Sequence, residues 1–426
     1  MEQIQEHQFK VQNTCEDDRM QNDIVVEVYD NFEDLLDMQP SWDSFMEEMN
    51  AEIFLTYDWC RLWWKYYGKK RDLKVFVFKQ NDNISGILPL FFETIGLWPA
   101  YISIIKIVGT DFIPVTINIP LKKELLNDII RLLTDKLNQF YNWDLLHFGA
   151  ICGKCEIIDQ IEKAFVEALS LSCTVLRKSS DVQTYFKIAD SLEKQIASFS
   201  KVQRKRLRHF YNDKKDGESI DSQFTTEAQF DTFFNAFVQM HQAKWQKSGQ
   251  AGHFEDWPDA RNFHYEVAST QLKYNRLRLL RMIINDREAG YQYSYKFGDT
   301  YYAFLNARTE EEQFKHVSYY NLLICEDARH AITENVKHLD SMRGKYDNKL
   351  QAGGYLLPVR NLYIYPKRIT KLIRIYPMQF FFSLLDIIYL KIFRRRLLPK
   401  LSIRPGSFNK LWIKTHMLSL YNGNKK

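Results

Sequence analysis

The run from Leu277 to Met342 constrains this chain more than any other stretch. Three apolar segments, Leu277–Ile284, Gly290–Phe297 and Tyr301–Ala307, are separated by the turn signals Asn285-Asp286 and Gly298-Asp299, which predicts a three-stranded meander. A polar loop follows at Arg308–His316. Helical spacing then runs from about Ser318 to Ile332, and a last strand is expected at Val336–Met342. That order places a helix N-terminus beside the end of a central strand. Such a junction gathers backbone N–H groups and the positive end of a helix dipole at one spot, so it is either an anion site or a packing junction.

A similar scheme precedes it. Asp23–Tyr29 alternates like a strand, and a helix is expected at Phe54–Tyr67, closed by Gly68. Strands at Leu73–Phe78 and Ile84–Phe92 flank the hairpin signal Asn81-Asp82-Asn83. An apolar run at Tyr101–Val108, an amphipathic helix at Leu121–Tyr141 and a strand at Trp143–Phe148 complete this lobe. In the second lobe the basic run Lys201–His209 lies on a helix. Thr226 with Gln229 forms a capping box for a helix reaching Lys247, with Gly249 as its stop. The expected fold is mixed α/β: a disordered tail at 1–22, a first lobe at 23–178, a second at 179–365, and a basic amphipathic extension at 366–426.

Bulk properties narrow the class. With 426 residues, 45% hydrophobic and 26% charged, the chain is long enough for two or three folded units. A net charge of +5 is too small to imply nucleic acid by itself. The six cysteines are unpatterned, which suits a reducing compartment. The single Cys152-Gly-Lys-Cys155 has no second pair, so neither zinc nor redox chemistry is indicated. There is no Walker A and no Gly-x-Gly-x-x-Gly motif. The N-terminus lacks the apolar core of a signal peptide, and no apolar run reaches the ~18–20 residues of a spanning helix. The chain is therefore expected in the cytoplasm, either free or attached to a membrane without crossing it. In the extension, Phe380–Phe393 is apolar and Arg394-Arg395-Arg396 follows it directly, with Asp386 the one acidic residue between Pro366 and Lys400. This segment suits either an anionic membrane surface or docking on the protein itself.

Several motifs in order carry a resemblance. Trp59 and Trp64 mark a Trp-rich first helix. Gly86-Ile-Leu-Pro89-Leu90 is a strand motif, and Gly109-Thr-Asp111-Phe112 an acid–aromatic loop. A basic helix, Arg204-Lys-Arg-Leu-Arg208, is followed by His241-Gln-Ala-Lys-Trp245 and Gly252-His-Phe254. Asp340-Ser-Met-Arg343-Gly344 precedes Asn348-Lys349. Together these resemble the GNAT-type acetyltransferase-like proteins associated with cellulose and exopolysaccharide biosynthesis, relatives of the Fem peptidyl transferases. The resemblance spans roughly Phe54 to Leu350 and implies two tandem GNAT-like lobes.

What the resemblance implies is transfer of an acyl group, acetyl in the first instance, from acetyl-CoA or another acyl-CoA to an amine or hydroxyl of a sugar, polysaccharide or glycolipid precursor, with no metal. Such transfer needs orientation, a backbone N–H to polarise the thioester carbonyl, and a base. Leu305, Asn306 and Ala307 would supply that N–H, and Ser318, Tyr320 and Asn321 would meet the pyrophosphate. Asp340 is the expected base or acceptor contact, its alternative being a bond to Arg343 or a turn cap. His241 is a second catalytic candidate or a hydrogen-bonded core histidine. Trp245, Arg343, Tyr346 and Lys349 are expected on the acceptor side. The rival readings are a Fem-like aminoacyl or peptidyl transferase, the one case in which a nucleic acid, tRNA, would be a partner, and a non-catalytic assembly module in polysaccharide export.

Overall fold

The computed structural model describes residues 24–366, apart from 98–99, 111–114, 141, 170–172, 212–218, 248–251, 256–258 and 312–317, together with residue 384. The expected tail at 1–22, nearly all of the basic extension and the Asp111-Phe112 loop lie outside the described residues.

Two repeats of one element order, with a link between them, make up the described residues. The first runs β1 (Ile24–Tyr29), α1 (Gln39–Glu48), α2 (Tyr57–Tyr67), β2 (Asp72–Gln80), β3 (Asn83–Leu97), β4 (Ala100–Ile107), α3 (Leu126–Phe140), β5 (Leu145–Ile151), α4 (Ile158–Ala168) and β6 (Cys173–Lys187). Two linking helices follow, α5 (Leu192–Ala197) and α6 (Lys201–Tyr211). The second repeat runs β7 (Ile220–Phe224), α7 (Phe230–Lys247), α8 (Ala260–Lys273), β8 (Leu277–Ile284), β9 (Arg287–Phe297), β10 (Thr300–Arg308), α9 (Tyr319–Thr333), β11 (His338–Arg343), α10 (Asp347–Gln351) and β12 (Tyr355–Pro366). Even the hairpins match. Asn81 and Asp82 between β2 and β3, and Asn285 and Asp286 between β8 and β9, all take positive φ near 50–60°. Two such residues in a row make the turn whose twist suits a tight hairpin.

Among the described residues twelve strands form one mixed sheet in the order β1-β2-β3-β4-β5-β12-β6-β11-β10-β9-β8-β7. The repeats exchange their last strands. β12, from the second repeat, pairs with β5 of the first, and β6 pairs with β11 of the second. β12 and β6 pair with each other from Tyr355↔Tyr185 to Pro366↔Cys173 and close the seam. Neither repeat completes its own sheet, which ties the lobes together through backbone hydrogen bonds as well as packing.

Apolar alternation explains the layers. α7 and α8 cover one face of the second-repeat strands, against Tyr291, Tyr293, Tyr295 and Phe304. α9 covers the other face, with Leu322, Leu323 and Ala328 against Leu280, Met282 and Leu339. Several expected elements shift. The helix foreseen at Phe54–Tyr67 is a 3-10 turn at Ile53–Leu55, then extended Thr56, then α2. The helix foreseen from Leu121 begins with a 3-10 turn at Lys123–Leu125, because Leu121 bridges to Gly86. The capping box of Thr226 and Gln229 forms, on the 3-10 turn that opens α7.

Candidate functional site

β10 and β11 run parallel, yet they pair over three positions alone: Thr300↔His338, Tyr301↔Leu339 and Tyr302↔Asp340. Beyond that point the strands part. β10 bulges between Ala303 and Leu305 against β9, and β11 bulges between Asp340 and Arg343 against β6. Bulges re-aim a strand and break its pairing. Met342 sits at φ 60°, an uncommon conformation for a non-glycine residue. Lys349 meets the carbonyls at the bent tip of β11. Its ammonium donates to Ser341 O at 2.5 Å, Met342 O at 3.4 Å and Arg343 O at 3.5 Å. Burial pulls the Lys349 pKa down to about 8, against the opposing pull of Asp340 and Asp181.

In the first repeat the same parting occurs between β4 and β5, which pair in parallel from Ile104↔Leu145 to Lys106↔His147. There the gap is occupied by the chain itself. Ile117 donates to Ala150 O at 2.9 Å, accepts from Cys152 N at 2.8 Å, and bridges Ile151. The two gaps are therefore not equivalent: the first is filled by backbone.

Side chains of β11 alternate across the sheet at the second gap. Leu339 packs among the α9 residues, and Ser341 Oγ lies 2.9 Å from the Tyr320 hydroxyl of α9. Asp340 points the opposite way, into a chamber of buried polar side chains. Asp340 is fully buried, with its carboxylate bonded to the Gln183 amide of β6, to Met342 N at 2.8 Å, and to the Tyr185 hydroxyl. Gln183 in turn accepts from Thr116 Oγ1 at 2.6 Å. Glu52, also buried, enters from the first repeat on the segment before α2 and accepts from Asn118 N. Its neighbour Phe54 sets its ring 5.5 Å from that of Tyr302, so this segment lies on the chamber side of β10. The Lys154 ammonium stands 3.8 Å above the Tyr185 ring. The segment that fills the first gap thus also roofs the second, through Thr116 and Asn118.

Electrostatics follow from burial. Desolvation raises Glu52 to about 8, opposed by the Asn118 N–H and Lys154 and reinforced by Asp340. Desolvation also raises Asp340, while Gln183, Met342 N and Tyr185 pull it back. Cys152 sits at the same chamber, its sulfur 3.9 Å from the Tyr185 hydroxyl, and burial raises its thiol pKa. Cys152 and Cys155 are both free thiols. Among the described residues no cluster of three His, Cys, Asp or Glu is arranged for a metal ion.

The other expected residues divide between the gap and its supports. Leu305 and Asn306 are half-buried and Ala307 is buried on β10 past the parting. His241 Nδ1 lies 2.9 Å from Asn306 O and Nε2 lies 3.0 Å from His253 Nδ1. A carbonyl can only accept, so Nδ1 carries the proton and Nε2 accepts from His253. Burial first, and then mutual repulsion, hold His241 at about 3, and burial holds His253 at about 4. Trp245 packs its ring 5.3 Å from His253. Tyr319, not foreseen, donates its hydroxyl to Ala307 O at 2.8 Å. At the start of α9, the Asn321 amide donates to Gln203 Oε1 at 2.6 Å and to Ser318 Oγ at 2.8 Å, and no side chain caps the helix. Gln203 belongs to α6, whose outer face carries exposed Lys201, Lys205, Arg206 and Arg208, without an acidic partner among the described residues. Arg343 bonds Asp181 at 3.3 Å. Tyr346 is exposed, with the Lys349 ammonium 5.1 Å from its ring. Sequence reasoning missed Glu52, Gln183 and Thr116.

Residues 199–350 match the family of acetyltransferase (GNAT) domains. No curated protein matches the chain in sequence. Among solved structures, FemX aligns with a TM-score of 0.56 at 11% identity, over 79% of this chain and 98% of that one. A conserved protein of unknown function from Bacteroides thetaiotaomicron VPI-5482 aligns with a TM-score of 0.48 at 10% identity, over 80% and 100%. A tandem GNAT protein from the clavulanic acid biosynthesis pathway aligns at 0.37 and 11%, over 81% and 99%. The likeness to FemX is one of fold. The chain carries an acyltransferase domain of the GNAT type, set in a larger mixed α/β sheet.

Proposed function

We propose that the chain transfers an acyl group, acetyl in the first instance, from acyl-CoA to an amine or hydroxyl of a sugar or glycolipid precursor. The observation that carries this reading is the gap between β10 and β11, with the first turn of α9 on one side of the sheet and the Asp340 chamber on the other. Acyl-CoA supplies an activated thioester carbonyl. The β10 edge at Leu305, Asn306 and Ala307 would offer backbone N–H to that carbonyl. Ser318, Tyr320 and Asn321 at the start of α9 would meet the pyrophosphate, with the cations of α6 adding long-range attraction. Asp340 and Arg343 would face the acceptor. His241 and Lys349 would act through the backbone they hold, at the β10 edge and the β11 tip, with Trp245 and Tyr346 packed beside them. Calorimetry with a panel of acyl-CoAs tests the reading: binding that weakens when Asn321 is replaced by Asp supports it, and silence across the panel removes it.

The aminoacyl-transfer reading is favoured by one observation, the unpaired basic face of α6 beside the gap. A nucleic acid donor would make binding fall steeply with salt. If tRNA binds with a steep salt slope that Lys205→Glu abolishes, while acyl-CoA does not bind, this second reading replaces the first. Attachment to an anionic membrane through the basic extension is a further part of the proposal. Among the described residues no helix is long and apolar enough to cross a membrane.

A further inference from the structure

The geometry points to Glu52, from the first repeat, as the residue that takes the acceptor's proton, with Asp340 positioning; this assignment rests on the acyl-transfer reading above. Both carboxyl groups belong to one chamber, on the face of the sheet away from α9, and both lie within electrostatic reach of each other and of Tyr302, where β10 and β11 part.

What separates them is how their oxygens are used. Asp340 receives three donors, the Gln183 amide, Met342 N and the Tyr185 hydroxyl, on two different strands. A carboxylate held in that way is fixed in orientation and loses basicity to each donor. Glu52 receives backbone N–H alone, from Asn118 and from its own residue. It sits on an irregular segment between α1 and the 3-10 turn at Ile53–Leu55. The groups facing it come from every wall of the chamber: Lys154, Cys152 and Cys155 from the loop after β5, Tyr185 from β6, Tyr302 from β10 and Asp340 from β11. Lys154 is the cation among them, and it favours the ionised carboxylate against burial. A proton affinity near neutrality is what a general base in a closed site needs.

The step balances within these groups. The acceptor lone pair forms the new bond to the thioester carbonyl carbon as the acceptor N–H or O–H proton passes to a Glu52 oxygen. The C–S bond then breaks, its electron pair leaves on sulfur, and the resulting thiolate takes the proton back from Glu52. The enzyme ends as it began, with free CoA thiol and acylated acceptor.

The test uses the full chain with acetyl-CoA as donor and glucosamine and glucose as acceptor probes, read as release of CoA thiol. Glu52→Gln is expected to lower kcat by about 100-fold or more, with acetyl-CoA affinity and the melting temperature nearly unchanged. Glu52→Asp should recover part of the rate. In the wild type the rate should rise with pH through about 8 and level off above it, and that rise should vanish in Glu52→Gln but persist in Asp340→Asn. A Glu52→Gln enzyme that keeps the rate and the pH rise overturns the assignment and leaves the acyl-transfer reading standing. Absence of turnover and of acetyl-CoA binding in the wild type overturns the reading instead. An infrared difference between wild type and Glu52→Gln needs no acceptor. It should show a protonated carboxyl band at about pH 6 that is gone by about pH 9, and a carboxylate already ionised at the lower pH also overturns the assignment.

Discussion

Gln183 donates its amide to Asp340 while accepting from Thr116, so one side chain couples β6 to β11 and to the segment that fills the first gap. All three residues are buried, and no water replaces a lost partner cheaply in such a place. Gln183→Leu should therefore destabilise the fold by about 1–3 kcal/mol, the cost of leaving a buried donor or acceptor unmet. Gln183→Glu should cost more, because it sets a second carboxyl against Asp340. Urea unfolding of both variants decides the matter. A Gln183→Leu protein as stable as wild type would mean that the chamber admits water.

The histidine pair behind β10 gives a pH dependence. His241 and His253 are held neutral by burial, at about 3 and about 4. Their folded values lie below the ordinary histidine value, so below pH ~6.5 the unfolded chain takes up protons that the folded chain refuses. Stability is then full above ~6.5 and falls as pH drops toward 4. His253→Asn keeps an N–H for His241 Nε2 and removes one titrating ring. The loss of stability between about pH 7 and pH 5, measured by urea unfolding, should be smaller in the variant. An equal loss in both proteins would mean that His253 ionises within the fold.

These features were unequally legible in the sequence. The meander, the helix and the parallel strand of the second repeat show in turn residues and apolar period, which are local. β6 did not, because Arg177-Lys178-Ser179-Ser180-Asp181 has no apolar alternation and is strand through its pairing with β12, nearly two hundred residues on. The strand exchange is likewise a property of pairing, which composition does not encode. At the site, the resemblance singled out Asp340, His241 and Lys349 but carried nothing of their contacts. Lys349, expected on the acceptor side, donates its ammonium to three carbonyls. Glu52 did leave a signal, a single acid inside the apolar run Ala51–Leu55, and a charge in such a run is either paired or perturbed.

The filled gap of the first repeat predicts binding stoichiometry. Ile117 takes up the edge of β5 with backbone hydrogen bonds on both sides, leaving the first repeat no slot for a thioester. One acyl-CoA per chain is expected in calorimetry, at saturating ligand, despite two repeats of the same order. Asn321→Asp should weaken the whole signal. Two equivalents, or half the signal surviving that substitution, would mean that the segment around Ile117 moves aside.

The last expectation concerns Asp327, in the buried helix α9. Both of its carboxyl oxygens are without a hydrogen-bond partner among the described residues, and burial, reinforced by neighbouring Glu326, raises it to about 8. Glu326 is itself engaged by Tyr211 at 2.7 Å, Ser222 at 2.5 Å and Arg329. The sign is opposite to that of the histidines. In the unfolded chain Asp327 ionises near pH 4, while in the fold it keeps its proton to about 8. Its contribution to stability is therefore whole below ~4 and declines as pH rises through about 8, at up to ~1.4 kcal/mol per pH unit. Asp327→Asn is uncharged throughout. It should match or fall slightly below wild type at about pH 5, since its amide meets the same unpaired surroundings, and exceed wild type at about pH 8.5. Urea midpoints at those two pH values give the comparison. A constant difference between the two proteins would show that Asp327 does not change its protonation on folding.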